Sequence, residues 1–352
     1  MKKALIAMSG GVDSSVAAFL IKNQGYYVEG ITLKLCSTNE DEPSCCTTRD
    51  IEDAKAVCQR LDIPHRVINF TDNFNKKVID KFVNTYIEGG TPNPCVDCNR
   101  YIKFSKLFEI AKEEGFDFVV TGHYARASFD EKAGRFSLKK GIDENKDQSY
   151  VLYSLTERQL SKILFPLGDM TKDEIRKIAE SEGLINADKP DSQDICFVKD
   201  GKYGEFIEKY TGKKSPEGDF VDLSGNKLGT HKGIINYTIG QRKGLGLSLK
   251  QSMFVVKKDT EANRVILGFS EDLMSDSLIA KDVNLIAFDK LTENTRGFVK
   301  TRYKQKEAPA TLIPMDDNKI KVVFDEPQRA ITKGQAAVFY NGDTVIGGGT
   351  IE

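Results

Sequence analysis

No stretch of this 352-residue chain approaches the ~18 consecutive apolar residues of a membrane span. The start is equally poor in leader features: Met-Lys-Lys is followed by only five apolar residues, 4–8, too few for a secretory core. Both absences predict a cytosolic protein with no membrane partner. Proline is scarce, at 10 residues, and with 39% hydrophobic, 29% charged and 9% aromatic residues the composition excludes a disordered or fibrous chain. A net charge of −1 excludes a uniformly basic nucleic-acid binder. The average conceals a modest split, about +3 over residues 201–352 against about −4 before them, so polyanion contacts belong to local clusters. Seven cysteines, an odd number without a leader, do not make a disulfide framework. Metal, redox and nucleophilic roles stay open for them.

With domains of roughly 150 residues, two or three are expected. Residues 3–8 form a short apolar run ending in a glycine-rich turn, and residues 12–23 then carry apolar side chains at helical spacing. Strand-like runs at 27–35, 66–70 and 116–121 alternate with helical patterns at 50–61, 75–87 and 104–114. Helices at 157–162 and 172–182 follow, the second with Thr171 as a candidate N-cap. The alternation predicts an α/β class, a doubly wound parallel sheet over residues 1–200 with ligands at the carboxyl ends of its strands. Beyond residue 200 the texture becomes glycine-punctuated, with polar and apolar residues alternating. A small mixed domain at 201–272 and a β-barrel-like domain at 273–352 are expected there.

The strongest chemical feature is Ser9-Gly10-Gly11-Val12-Asp13-Ser14-Ser15, set between the first strand and the first helix. Glycines let backbone N–H groups approach phosphate, the serines add hydroxyls, and the helix turns its positive end toward the anion. The loop lacks the lysine of a Walker A motif. Asp13 beside a phosphate cradle would repel phosphate without an intervening cation, so it is expected to hold Mg²⁺. A plain helix-capping turn is the alternative. In Thr91-Pro92-Asn93-Pro94-Cys95-Val96-Asp97-Cys98 two prolines disfavour helix at the start, which predicts thiols on a shaped loop. Half a zinc site, with Cys45 and Cys46 as the nearest further thiols, and a protected cysteine pair are the other readings of that segment. Cys196, in Asp191-Ser192-Gln193-Asp194-Ile195-Cys196-Phe197, taken alone reads as a core cysteine. His123 taken alone is an ordinary loop histidine. Lys300, Arg302, Lys304 and Lys306 alternate with Thr301, Tyr303 and Gln305, so a strand there would carry four cations on one face, either as a phosphate-following stripe or as a solvated edge. Lys232, Arg242 and Lys243 favour the nucleic-acid reading.

The SGGVDSS string resembles the signature of the PP-loop ATP pyrophosphatases. With TPNPC at Thr91, CNRYIKF at Cys98, TGHYAR at Thr121, KDQSYVLY at Lys146, DSQDICF at Asp191 and GQRKGLG at Gly240, the chain resembles the bacterial tRNA-specific 2-thiouridylase family over essentially its whole length. The resemblance implies a PP-loop catalytic domain, a central tRNA-binding domain and a C-terminal barrel. It also implies ATP-dependent replacement of the C2 oxygen of a wobble uridine by sulfur, with ATP and Mg²⁺ as cofactors. Partners would be tRNA and a sulfur donor, either sulfide or a persulfide relay protein. By position, Ala7, Met8, Ser9, Gly10, Gly11, Val12, Asp13, Ser14, Leu33 and Gly122 would line the ATP site. Cys98 matches the nucleophile and Cys196 the persulfide carrier. Asn93, Pro94 and Cys95 would meet the target base, and His123, Lys146, Asp147, Gln148, Arg302, Tyr303 and Gln335 match tRNA-contacting positions.

The family's common pattern has an aspartate where this sequence has Cys95. The substitution creates a Cys-x-x-Cys pair, with Cys196 expected across the same cleft by the resemblance. Three thiolates from Cys95, Cys98 and Cys196 could hold three irons of a 4Fe-4S cluster, leaving the fourth to bind the transferred sulfur. The competing account keeps Cys98 and Cys196 as a persulfide pair with Cys95 a bystander or a redox partner. An amide-forming ligase of the same superfamily is the rival activity, but it leaves three placed thiols without a role.

Overall fold

The computed structural model describes residues 1–35, 48–190, 195–198 and 201–352. In chain order its first strands are β1 (Lys3–Ala7), β2 (Tyr27–Lys34), β3 (His65–Asn69), β4 (Phe118–Val120), β5 (Ala125–Asp130), β6 (Arg135–Lys140) and β7 (Ile163–Leu164). Five of them form a wholly parallel sheet in the order β3-β2-β1-β4-β7. Successive side chains of a strand face opposite sides, and β1 shows the result. Ala4 and Ile6 pack with Val12, Val16, Val57 and Ile175 from the helices Val12–Asn23, Thr48–Arg60 and Lys172–Ser181. Leu5 faces Phe74, Phe82 and Leu107 on the other side. Both faces are therefore covered by helices, as a parallel sheet with near-continuous apolar strands requires.

The helix Tyr203–Thr211 leads into a four-stranded sheet of β8 (Gly218–Val221), β9 (Lys227–His231), β10 (Phe254–Asp259) and β11 (Arg264–Gly268), ordered β10-β11-β8-β9. Its inward residues Phe220, Val255, Val265 and Leu267 belong to the same apolar cluster as Leu5 and Phe82, so this sheet is packed onto the first domain rather than tethered to it.

The last six strands are β12 (Met274–Leu285), β13 (Thr295–Lys300), β14 (Ala308–Met315), β15 (Lys319–Arg329), β16 (Ala336–Asn341) and β17 (Thr344–Ile351). They run antiparallel in the order β12-β15-β14-β13-β16-β17, and pairing of β12 with β17 closes them into a barrel. Register shifts at Ser275/Ser277, Lys281/Asn284 and Phe339/Tyr340 supply the local bends that closure needs. The hairpin β5–β6 is added to β17 through Thr344 opposite Lys139, although the sequence pattern groups that stretch with the α/β domain. Arg126 Nη2 donates to Asp343 Oδ2 at 2.9 Å, and Leu138 shares a core with Tyr340 and Val345, which explains the attachment. No helix among the described residues is long and apolar enough to cross a membrane.

Candidate active site

The phosphate loop follows β1, as its sequence pattern predicts. Gly10 has φ +75°, and a Cβ there would lie 2.2 Å from the Asp50 carbonyl oxygen, so only glycine fits. Gly11 is the N-cap of the helix Val12–Asn23, and its carbonyl oxygen accepts the hydroxyls of Ser14 at 2.9 Å and Ser15 at 3.0 Å. Ser14 Oγ in turn accepts the Ser9 N–H at 3.3 Å. Gly122 closes the loop from the end of β4, where a Cβ would stand 2.8 Å from the Ser14 nitrogen. Met8, Val12 and Leu33 are buried beneath it, and Ala7 is half-buried. Loop amides and the positive end of a 12-residue helix thus converge at one place, an arrangement suited to polyphosphate.

Asp13, in the first turn of that helix, accepts two hydrogen bonds on Oδ1, from Tyr124 Oη at 2.7 Å and from Lys172 Nζ at 2.7 Å. Both partners are buried. Oδ2 is the oxygen left for a cation, and Mg²⁺ commonly takes only one or two carboxylates beside phosphate oxygens and water, so Asp13 fits it. Beneath the loop, Asn186 Nδ2 donates to Gly10 O at 3.1 Å and to Ser15 Oγ at 2.8 Å, and Lys189 Nζ donates to Gly10 O at 3.0 Å. Tyr124, Lys172, Asn186 and Lys189 escape the sequence reading. Tyr124 was visible inside TGHYAR and Lys172 beside the Thr171 cap, but neither residue type advertises a partner far away in the chain.

The thiols stand differently from expectation. Cys95 and Cys98 lie on a helical turn, Pro94–Cys98, not on a loop. Pro94 occupies the first turn, where its missing N–H costs nothing, and Asn93 caps the end by accepting the Val96 N–H at 3.4 Å. Cys95 is exposed, while Cys98 is buried against Phe82 and Ile102. Asp97 between them is buried and paired with Lys81 at 2.7 Å, and burial still pushes its carboxyl above the usual range. Cys196 is exposed, with its neighbour Phe197 edge-on to Phe74 and Phe82 in the cluster that contains Cys98. Among the described residues no three Cys, His, Asp or Glu side chains are grouped to hold a metal. Cys58 is buried on the other face of the sheet with its thiol pushed up to about 12, so it is inert. Cys36, Cys45 and Cys46, and with them the zinc reading, lie outside the described residues.

A family model described as a tRNA methyl transferase HUP domain matches residues 2–200, one described as a tRNA methyl transferase PRC-barrel domain matches 204–269, and one described as an aminomethyltransferase β-barrel domain matches 275–351. Curated relatives agree over the full length. The tRNA-specific 2-thiouridylase MnmA of Clostridioides difficile is 51% identical, covering 100% of this chain and 98% of the relative. That of Acetivibrio thermocellus is 48% identical, covering 100% and 99%. The chain belongs to the tRNA-specific 2-thiouridylase family.

Several residues that the family resemblance assigns to tRNA lie where the first domain meets the barrel. Gln335 Nε2 donates to Thr91 O at 2.9 Å and Pro92 O at 3.1 Å, and Thr91 N donates to Lys333 O at 2.8 Å, so the barrel holds the Asn93-Pro94-Cys95 turn in place. Tyr303 reaches the same spot: its ring meets Tyr150 edge-on at 5.9 Å, and burial, with Asp147 and Cys95 nearby, pushes its hydroxyl up to about 12. Asp147 is buried, accepting the Gly141 and Ser149 N–H groups at 3.1 Å each. Lys146 is half-buried beside it. His123 sits between Phe104 and Phe165 with Nδ1 2.8 Å from Thr121 Oγ1, and burial lowers it to about 3, which favours its neutral form.

The basic stripe is corrected by the structure. β13 ends at Lys300, and residues 301–305 form a turn closed by the Gln305 N–H to Arg302 O at 3.2 Å. Arg302 turns inward, its Nη2 donating to Ile239 O at 3.1 Å, Ala330 O at 3.0 Å and Thr332 Oγ1 at 2.9 Å. Those carbonyls at the junction of central domain and barrel need a donor, and that demand overrides the strand alternation. Lys304 and Lys306 alone of the four are exposed.

Proposed function

We propose that this chain is an ATP-dependent tRNA-uridine 2-sulfurtransferase acting in the cytosol. Residues 1–200 bind ATP and carry the chemistry, while residues 201–272 and 273–352 hold the tRNA. The observation that carries the reading is Asp13, gripped by Tyr124 and Lys172 at the mouth of an SGGVDSS helix N-terminus, in a chain about half identical throughout to named 2-thiouridylases.

The loop amides and the exposed Ser9 hydroxyl orient the ATP phosphates, while Ser14 and Ser15 brace the loop through the Gly11 carbonyl. Mg²⁺ held at Asp13 would offset the charge that develops on pyrophosphate. The C2 oxygen of the wobble uridine bonds to the α-phosphorus as the bond to pyrophosphate breaks, which converts a poor leaving group into AMP. For the sulfur step we take the persulfide route, with Cys196 exposed and Cys98 buried in the apolar cluster that also holds Phe197. The outer sulfur of a Cys196 persulfide attacks C2 and AMP departs with the C–O electron pair. Cys98 thiolate then attacks the Cys196 sulfur, the S–S electrons remain on the sulfur bound to C2, and a Cys98–Cys196 disulfide forms, to be reduced by an external dithiol. Cys196 is exposed to a donor protein or small persulfide.

The test incubates ATP, Mg²⁺, a persulfide donor and an unmodified tRNA transcript with the metal-free protein, following pyrophosphate and thiolated tRNA. The wild type gives both. Cys98→Ser and Cys196→Ser give pyrophosphate without thiolation, and Cys95→Ala retains thiolation. Thiolation that needs added iron, or that survives loss of Cys196, overturns the persulfide route.

A further inference from the structure

One buried side chain joins the phosphate loop to the Lys146-Asp147-Gln148 turn. Tyr124 is 2% exposed, and its hydroxyl donates to Asp13 Oδ1 at 2.7 Å. Its backbone is bound twice to Gln148: the Tyr124 N–H donates to Gln148 Oε1 at 3.0 Å, and the Gln148 N–H donates to Tyr124 O at 2.9 Å. The turn itself has little slack. Asp147 accepts Gly141 N–H, Ser149 N–H and Ser149 Oγ at 3.1, 3.1 and 2.9 Å, and a Cβ on Gly141 would stand 3.0 Å from the Tyr124 carbonyl oxygen. Lys172 Nζ lies 5.8 Å from the centre of the Tyr124 ring while bonding the same carboxylate oxygen, so displacement of the ring disturbs both donors on Asp13.

We propose that Tyr124 is a positioning residue that couples engagement of tRNA at residues 146–148 to the orientation of Asp13. The inference rests on the reading of 146–148 as a tRNA-facing turn in a tRNA sulfurtransferase. A close-packed interior passes a backbone shift on rather than absorbing it, so movement of Gln148 is carried to the Tyr124 hydroxyl. With tRNA engaged at residues 146–148, the Tyr124 hydroxyl is held more firmly against Asp13, and the carboxylate is kept ready for Mg²⁺ and ATP. Linkage makes the effect reciprocal, so Mg²⁺-ATP tightens tRNA by the same factor that tRNA tightens Mg²⁺-ATP.

That reciprocity gives a readout independent of turnover. The affinity of a labelled, unmodified tRNA transcript is measured by anisotropy with and without Mg²⁺ and an ATP analogue that resists cleavage between the α- and β-phosphates. The wild type is expected to bind tRNA about tenfold more tightly with the analogue, within the usual range of coupling between sites. Tyr124→Phe, which deletes one oxygen and keeps the ring, reduces that factor below twofold while tRNA alone still binds within about twofold of wild type. Gln148→Leu lowers the coupling too, and the double variant couples no worse than Tyr124→Phe, because the two act in one chain. Equal coupling in wild type and Tyr124→Phe, independent losses in the double variant, or an uncoupled wild type that binds both ligands would each overturn the proposal. A wild type that binds neither ligand would sink the sulfurtransferase reading itself.

Discussion

Lys189 places its ammonium 3.0 Å from the carbonyl oxygen of Gly10, tying the phosphate loop to the stretch of chain that runs on toward Cys196. The same ammonium binds Asp50 Oδ1 and Asp53 Oδ2 at 2.6 Å each, and so anchors the loop to the helix Thr48–Arg60 as well. Lys189→Met removes the cation between the two carboxylates and one of the two donors on the loop carbonyl. We expect a loss of about 1–3 kcal/mol in stability, read by urea unfolding, together with weaker ATP binding.

Gly10→Ala tests the loop itself. Its Cβ would meet the Asp50 backbone at 2.2 Å, and φ +75° strains any side chain. The variant should lose ATP binding while tRNA affinity stays within about twofold, as measured by titration of each ligand. Normal ATP affinity would mean that the loop does not contact phosphate.

Asp13→Asn keeps an oxygen for Tyr124 and Lys172 but removes the charge that a cation requires. Pyrophosphate release should fall by about 10²–10³, the loss typical of one electrostatic contact at a developing charge. The ammonium of Lys172, whose side chain is 8% exposed, then loses the charge on Asp13, so thermal stability should fall as well. Retained pyrophosphate release would displace Asp13 from the metal site.

Arg302→Met separates the structural from the electrostatic reading of the basic segment. Three inward hydrogen bonds are lost, so unfolding should come at lower urea, whereas the salt dependence of tRNA binding should hardly change. Lys304→Ala with Lys306→Ala should instead lower the salt slope by roughly one to two units, as released phosphate contacts do.

His123 sets an acid limit. Burial lowers its folded pKa to about 3, below the ordinary value near 6.5. Protonation therefore favours the unfolded chain, and the stability held above pH ~6.5 drains away as pH falls toward 3. His123→Phe should show a smaller loss between pH 7 and 4.5 in urea titrations.

The sequence pattern was a good guide wherever local chemistry governs. The apolar run of β1, the glycines of the phosphate loop and the Thr171 cap of the helix Lys172–Ser181 each carry their own physical reason within a few residues, and the structure follows them. The helical turn at Pro94–Cys98 was obscured by two prolines, although proline at a helix start is well tolerated and Asn93 was there to cap it. The alternating cations at 300–306 imitated a strand because alternation alone does not register what distant carbonyls demand.

By itself, then, the sequence determined the class of the fold, the position of the phosphate loop and the family, because these follow from periodicity and from contiguous motifs. Tertiary structure alone decided that Tyr124 and Lys172 converge on Asp13, that Lys189 reaches under Gly10, that Arg302 faces inward, and that the hairpin β5–β6 joins the barrel. Each of these pairs groups that lie far apart along the chain. A buried donor or acceptor takes whichever partner the packed chain brings within 3 Å or so, and nothing in local periodicity encodes that choice.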